Sequence, residues 1–140
     1  MSLAEQTPFE GSFSVSPGPD PFGVLEAAVA GVRAHVEGLR RVGLGGSGLG
    51  DAVVALVGLR FQVESVELTA LEGYRQSMDW SVDGYRSVQS WLGDRCRLSK
   101  AAVGRRVGLG RKLESMPLTA AAFAAGDISL DHVDRLCRAN

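Results

Sequence analysis

The sequence predicts an all-α fold, a helical bundle with a long central helix and a helix-turn-helix-like C-terminal half. Apolar residues recur at three- and four-residue spacing along most of the 140-residue chain, which is typical of amphipathic helices. Asp, Ser and Pro precede several of these patterns, where helix starts favour them. The length and a hydrophobic content of 45% fit one globular domain.

Residues 1–19 are rich in Ser, Pro and Gly and show no sustained period, so we expect a disordered leader. The helical domain is then expected over residues 20–140. Its first helix starts at Asp20-Pro21 and ends near Gly43. The apolar stripe of this helix consists of Leu25, Ala28, Val32, Val36, Leu39 and Val42.

A glycine-rich connector, residues 43–50, leads into the longest helical pattern, Asp51 to about Ser77. The connector lacks the Gly-Lys-Ser/Thr of a phosphate-binding loop, so it is interpreted as a hinge. The helix is apolar on two faces, which predicts packing on two sides in the centre of the bundle. One face contains Leu56, Leu59, Val63, Val66, Ala70 and Tyr74, and the other Val54, Val57, Phe61, Leu68 and Leu71. The glutamates of this helix are expected to form a solvated strip: Glu64, Glu67 and Glu72.

After a predicted loop at residues 78–86, with Trp80 as a core anchor, the spacing resembles a helix-turn-helix. Ser87 caps a short helix that ends by Arg95, and Ser99 caps a second helix, residues 100–114. The two helices require a small residue where they cross and an apolar residue in the turn. The crossing position is Gly93, the turn position is Leu98 and the core position of the second helix is Val103, and all three residue types fit. Arg97, by contrast, replaces the usual turn glycine, and Arg106 occupies a core position. Gly104 and Gly108 are expected to permit close packing on one face of the second helix.

Positive charge concentrates in this unit: residues 91–114 hold 7 basic and 2 acidic side chains in a chain of net charge −1. A local basic patch is typical of a nucleic-acid surface. The candidate DNA contacts are Arg97, Lys100, Arg105, Arg106, Arg111 and Lys112. The alternative is a basic helix that pairs with the acidic first half, in a protein-interaction or dimerisation scaffold.

Nothing in the sequence indicates a metal, a cofactor or a small-molecule substrate. Cys96 and Cys137 are far apart, without a CxxC motif or a histidine at ligand spacing, so reduced thiols in a cytoplasmic protein are expected. No signal peptide or membrane span is expected either. The chain is predicted to end in two helices, residues 118–125 closed by Gly126 and residues 130–139 capped by residues 127–129.

The stretch from Trp91 to His132 resembles the DUF222 family, also called 13E12-repeat proteins, of high-GC Gram-positive bacteria. The resemblance lies in a Ser-x-x-x-Trp-Leu helix at Ser87, a Leu-Ser start at Leu98, and a basic helix. Pro-x-Thr-Ala-Ala-Ala-x-Ala-Ala-Gly-x-Ile-Ser-x-x-His then follows from Pro117. More loosely, the stretch is similar to the helical DNA-binding region of ParB-type partition proteins, which favours DNA binding.

The resemblance is expected to extend from residue 20 to the end of the chain. It implies a domain that often precedes an HNH nuclease, whose histidine and asparagine cluster does not occur here. The chain is therefore expected to be a non-enzymatic N-terminal portion, truncated at its C-terminus; a nuclease relic without independent function is a further alternative. His132 matches a family position, and helix capping or packing is its expected role.

Overall fold

The computed structural model describes residues 18–43 and 47–139. Within these residues the chain forms seven α-helices and no strand, which confirms the all-α helical bundle. The helices are α1 (Pro21–Val42), α2 (Ser47–Ser77), α3 (Asp79–Val82), α4 (Val88–Cys96), α5 (Lys100–Leu113), α6 (Pro117–Ala124) and α7 (Leu130–Ala139). The chain divides into two compact units, Met1–Gly50 and Asp51–Asn140. Most of the predicted leader and the middle of the predicted hinge lie outside the described residues, at 1–17 and 44–46.

Helix α1 belongs to the first unit and has the predicted ends. The Asp20 carboxylate accepts a hydrogen bond from the Phe22 amide at 3.1 Å, and Pro21 occupies the first turn. Gly43 ends the helix in the left-handed conformation, at φ 67°. No residue of α1 is buried, so its apolar stripe forms no core within the described part of the first unit.

Helix α2 is longer than the sequence predicts, because Ser47–Gly50 are helical rather than part of the hinge. Glycine accepts helical dihedral angles as other residues do, although at an entropic cost. The helix therefore extends across half of the glycine-rich connector before Asp51.

The core of the second unit lies where α5 packs against α4, α6 and α7, with the C-terminal half of α2 against them. Phe123 and Val133 are fully buried at its centre. The buried residues come from five helices: Leu68, Leu71, Val88, Leu92, Val103, Val107, Leu109, Phe123, Leu130, Val133 and Cys137. These contacts place α5 among three other helices, so one face of α5 is held while the opposite face meets solvent.

Only one of the two apolar faces of α2 is buried within residues 51–139, so the expectation that both faces pack is wrong for this unit. Leu68 and Leu71 belong to the core and Phe61 packs against it. On the other face, Leu59 is 50% exposed and Val66 is 68% exposed. The reason is that the other helices which supply the core, α4 to α7, all pack on the side of α2 that carries Leu68 and Leu71.

The predicted loop at residues 78–86 contains one helical turn, α3, that the sequence did not reveal. Met78 precedes it in the left-handed conformation, at φ 59°. Trp80 is half-buried and packs against the core, and its indole N–H donates to the Arg75 carbonyl at 3.2 Å. The prediction that Trp80 anchors this segment is confirmed.

A tight turn between α6 and α7 brings Gly126 against α2. Gly126 has φ +83°, and a Cβ atom placed there would lie 2.8 Å from the carbonyl oxygen of Gly58. Any other residue at this position would therefore displace α2 or the turn. Next to it, Ser129 Oγ accepts from the His132 amide at 3.1 Å and lies 2.9 Å from His132 Nδ1. The Ser129 amide donates to His132 Nδ1 at 3.4 Å, so the His132 side chain has the expected capping role at the start of α7.

Candidate nucleic-acid interface

Helices α4 and α5 form the predicted helix-turn-helix-like pair, and serine caps begin both. The Ser87 hydroxyl accepts from the Ser90 amide and the Ser99 hydroxyl from the Ala102 amide, each at 3.1 Å. Between the helices, Arg97 adopts the left-handed conformation, with φ 56° and ψ 39°. This is the conformation that a turn glycine supplies without steric cost, so the turn has the backbone conformation expected of a glycine although the residue is arginine.

The crossing of α4 and α5 is close, yet it does not require glycine. A Cβ atom on Gly93 would lie 3.6 Å from Val103 Cγ2, which is ordinary van der Waals contact. Val103 is buried and the turn residue Leu98 packs against the core. The predicted crossing, core and turn positions are therefore confirmed, and alanine would also fit at position 93.

The glycines of α5 have different roles from those that the sequence suggests. Gly104 and Gly108 would have no atom within 4 Å of an added Cβ, so they do not mediate helix packing. Gly110 does: it is buried, and its Cβ would lie 3.3 Å from the Leu68 carbonyl oxygen. The expectation of close packing at 104 and 108 is wrong because these positions face solvent, and the contact with α2 lies at 110.

Four of the six candidate contacts are exposed: Arg97, Lys100, Arg111 and Lys112. Lys100 begins α5 and Arg111 and Lys112 lie in its last turn, while Arg97 lies in the preceding turn. The ion pairs found within the described residues involve none of these four side chains. Positive charge is therefore available to a partner at both ends of α5.

Arg105, by contrast, ties α5 to α7. Its guanidinium donates a hydrogen bond to the Asp131 carboxylate, and its Nε lies 3.6 Å from a carboxylate oxygen of Asp134. That Nε is buried and has no hydrogen-bond partner among the described residues. The hydrogen bond with Asp131 raises the pKa of Arg105 and lowers the pKa of Asp131, so both groups remain charged at neutral pH.

Arg106 makes a similar connection between α5 and α2. Its Nε donates to the Glu67 carboxylate at 3.0 Å, and a terminal nitrogen lies 3.9 Å from Glu64. The predicted core position of Arg106 is instead filled by its neighbour Val107, which is buried. The structure thus brings two of the six candidates into intramolecular ion pairs. Their partners on α2 are Glu67, which is exposed as expected, and Glu64, which is half-buried.

The third glutamate, Glu72, is buried, which corrects the expectation that it is solvated. It is 5% exposed, and both carboxylate oxygens accept from Arg75, at 2.8 Å each. Gln76 also donates to Glu72 at 2.8 Å, and to Glu114 on α5's C-terminal side at 3.2 Å. The hydrogen bonds from Arg75 lower the pKa of Glu72 despite its burial. No sequence signal other than the i, i+3 spacing to Arg75 indicates this network.

Beside the exposed basic residues, α4 and α5 enclose a cleft of about 580 Å³. Lys100 and Gly104 line the α5 side, and hydroxyl and amide side chains line the α4 side: Ser87, Gln89 and Ser90. The sequence did not identify these α4 residues as part of a surface, although the Ser87 cap predicts the start of their helix. The cleft adds hydrogen-bond donors next to a cation.

Among the described residues there is no group of three His, Cys, Asp or Glu side chains that could hold a metal ion. None of the helices in the described part of the chain has the length and apolar character needed to cross a bilayer. Cys96 is exposed, Cys137 is buried, and both are free thiols. Burial raises the pKa of the Cys137 thiol, which keeps it protonated and unreactive.

The fold defines an all-α protein in which a helix-turn-helix-like pair presents a basic face. The chain belongs to the DUF222 family, because the family model, described as a domain of unknown function, matches residues 51–139. No curated protein and no solved structure matches the chain. The match confirms the family that the residues from Trp91 to His132 resemble. It covers the second unit and leaves out α1, and is thus shorter than the expected extent from residue 20.

Proposed function

We propose that this chain is a non-catalytic module that binds DNA through the exposed basic face of α5 and the turn before it. The observation that supports this most strongly is that two of the six basic candidates are held in ion pairs within the chain and four are exposed. Arg105 and Arg106 hold α5 in place by ion pairs. Arg97, Lys100, Arg111 and Lys112 remain exposed, so that a rigid helix presents positive charge at both ends.

The same face favours contact with the sugar-phosphate backbone over recognition of base sequence. Base edges are recognised by side chains long enough to hydrogen-bond in the groove, such as Arg, Asn and Gln. Between the two charged ends of α5, the solvent-facing positions are Ala101, Gly104 and Gly108, which have no such groups. The glycines also let a ligand approach the helix backbone closely. The proposed binding is therefore largely independent of sequence.

We further propose that the module acts in the cytoplasm. Two free cysteines without a disulfide in the described residues agree with a reducing compartment. DNA binding without catalysis also fits the chemistry of the site, which offers cations and hydroxyl groups rather than an acid–base pair or a nucleophile with its base. A DUF222 domain of this kind would anchor a partner activity on DNA.

Fluorescence anisotropy with a labelled DNA duplex tests this proposal. The double charge reversal Arg111→Glu/Lys112→Glu removes two exposed cations and leaves the ion-paired Arg105 and Arg106 unchanged. We expect the wild-type chain to bind at low salt and this variant to bind at least about tenfold more weakly, because two phosphate contacts are lost. Two duplexes of equal length and unrelated sequence should bind with similar affinity.

The matched control is Arg33→Glu/Arg41→Glu, which makes the same change in net charge on exposed positions of α1. Its affinity should fall much less than that of the α5 variant. Equal weakening by the two variants would mean that net charge alone controls binding and would contradict an interface on α5. Absence of binding by the wild-type chain at low salt would exclude the proposed function.

A further inference from the structure

The exposed face of α2 has the residue spacing of a coiled-coil seam. Apolar and small residues recur at alternating intervals of four and three from Ala52 to Gly73, over about 30 Å of helix. The seam consists of Ala52, Leu56, Leu59, Val63, Val66, Ala70 and Gly73. None of these seven positions belongs to the core of the second unit.

The seam lies on the side of α2 opposite the core. Phe61 and Leu68 occupy the heptad position furthest from the seam, and both pack into the core. The other helices of the second unit leave the seam side chains open: Leu56 is 43% and Val63 is 49% exposed. No helix between residues 79 and 139 covers them. A continuous apolar strip of this kind is typical of an interaction surface rather than of scattered exposed residues.

We infer that the seam pairs with the same seam of a second copy of this chain, and that the two α2 helices run antiparallel. The charges beside the seam favour this partner and this direction. Arg60 and Glu67 occupy equivalent flanking positions one heptad apart, and in an antiparallel pair such positions face each other. With Val63 beside the partner's Val66, Arg60 lies beside the partner's Glu67, twice by symmetry.

A parallel pair offers no such complementarity. It would place Arg60 beside the partner's Ala55 and Glu67 beside the partner's Gln62. In the antiparallel pair Glu67 still accepts its hydrogen bond from Arg106 at 3.0 Å, because a carboxylate has several acceptor sites and Glu67 is 43% exposed. The dimer therefore leaves intact the hydrogen bond from Arg106 to Glu67 that connects α5 with α2.

Light scattering of the full chain after size exclusion tests the pairing. The expected mass is twice 14.8 kDa at concentrations of about 100 μM, with Val63→Glu reduced to a monomer of unchanged helicity by circular dichroism. The matched control is Val82→Glu, which replaces the same residue type at a more exposed position, on α3, and should remain a dimer. A monomeric wild-type chain, whatever covers its seam, or a dimer that Val63→Glu does not dissociate, would overturn the proposal.

Disulfide formation tests the direction of the helices. In a Cys96→Ser background, which removes the exposed thiol, Leu59→Cys and Ala70→Cys chains are mixed and oxidised. The antiparallel pair predicts a cross-link between the two different chains and none between two Leu59→Cys chains, whose cysteines would be about 16 Å apart along the axis. Cross-linking of Leu59→Cys with itself would overturn the antiparallel arrangement.

Discussion

At the scale of single residues, glycines that the sequence alone does not distinguish have different physical roles. Gly104 faces open solvent within α5, Gly110 lies against the α2 backbone, and Gly126 combines a positive φ with contact to Gly58. The sequence marks all three as weak points of helices or as a turn. Their consequences for stability depend on what an added methyl group would meet, which only the packing of the helices decides.

The three glycines predict an ordered series of alanine variants. Gly104→Ala should raise the free energy of unfolding by about 1 kcal/mol, because alanine favours the helix and its Cβ meets nothing. Gly110→Ala should lower it, since the Cβ would lie 3.3 Å from a backbone oxygen. Gly126→Ala should lower it most, by more than about 1 kcal/mol, because strain at positive φ is added to a backbone clash.

Urea unfolding followed by circular dichroism measures the series. Gly93→Ala serves as the control, since its Cβ would make ordinary contact with Val103 and its stability should not fall. A Gly104→Ala variant less stable than the wild type would show that position 104 is packed and that this face of α5 is not exposed.

At the scale of elements, α5 has two functions that depend on different residues. Its inner side supplies Val103, Val107 and Gly110 to packing, and Arg105 and Arg106 fasten it to α7 and α2. Its outer side presents the cations. The connection between α2 and α5 is reinforced by the buried Glu72 network, which joins Arg75 and Gln76 with Glu114. Acid should weaken this connection.

The pKa of Glu72 is lowered in the folded chain by the hydrogen bonds from Arg75. A carboxyl group with a lowered pKa contributes stability above its unfolded pKa, here 4.5, and this contribution disappears as pH falls through the folded value. We therefore expect the free energy of unfolding to decrease below about pH 4.5. Asp131, whose pKa is also lowered, contributes in the same direction at somewhat lower pH.

Glu72→Gln isolates the contribution of this residue. At pH 7 the variant should be less stable by about 1–3 kcal/mol, because the half-buried Arg75 loses its charged partner. Its stability should also decrease less steeply in acid than that of the wild type. The exposed Asp127→Asn change serves as the control and should preserve the wild-type pH profile. Parallel profiles for the wild type and Glu72→Gln would contradict the role of this carboxylate.

At the scale of the whole molecule, the sequence predicted the features that depend on neighbouring residues in the chain, such as helix caps and turns. Asp20, Ser87, Ser99 and Ser129 cap helices as expected, because a cap depends on amides two or three residues away. The left-handed turn at Arg97 follows from the spacing of the helix-turn-helix-like pair, even though the residue is not glycine. The family, too, follows from a continuous stretch of residues.

Features that depend on distant residues could not be predicted in this way. Arg105 pairs with Asp131, 26 positions away, and Arg106 with Glu67, 39 positions away. No local pattern distinguishes these arginines from Arg111, which is exposed. The same applies to α2, whose two apolar faces are equivalent in sequence until the positions of α5 to α7 determine which one is buried. Of the candidate site, the sequence thus predicted the helix and its charge, and the structure separates exposed cations from structural ones.

The exposed cations, and not the paired ones, are proposed to contact DNA. The most direct test is the slope of log binding constant against log salt concentration, measured for the wild type and for a variant with Arg97, Lys100, Arg111 and Lys112 all changed to Gln. Four phosphate contacts predict a wild-type slope of about −3.6, or about a 100-fold loss of affinity between 50 and 200 mM salt. We expect a slope near zero for the variant. A slope that remains near the wild-type value in this variant would contradict the claim.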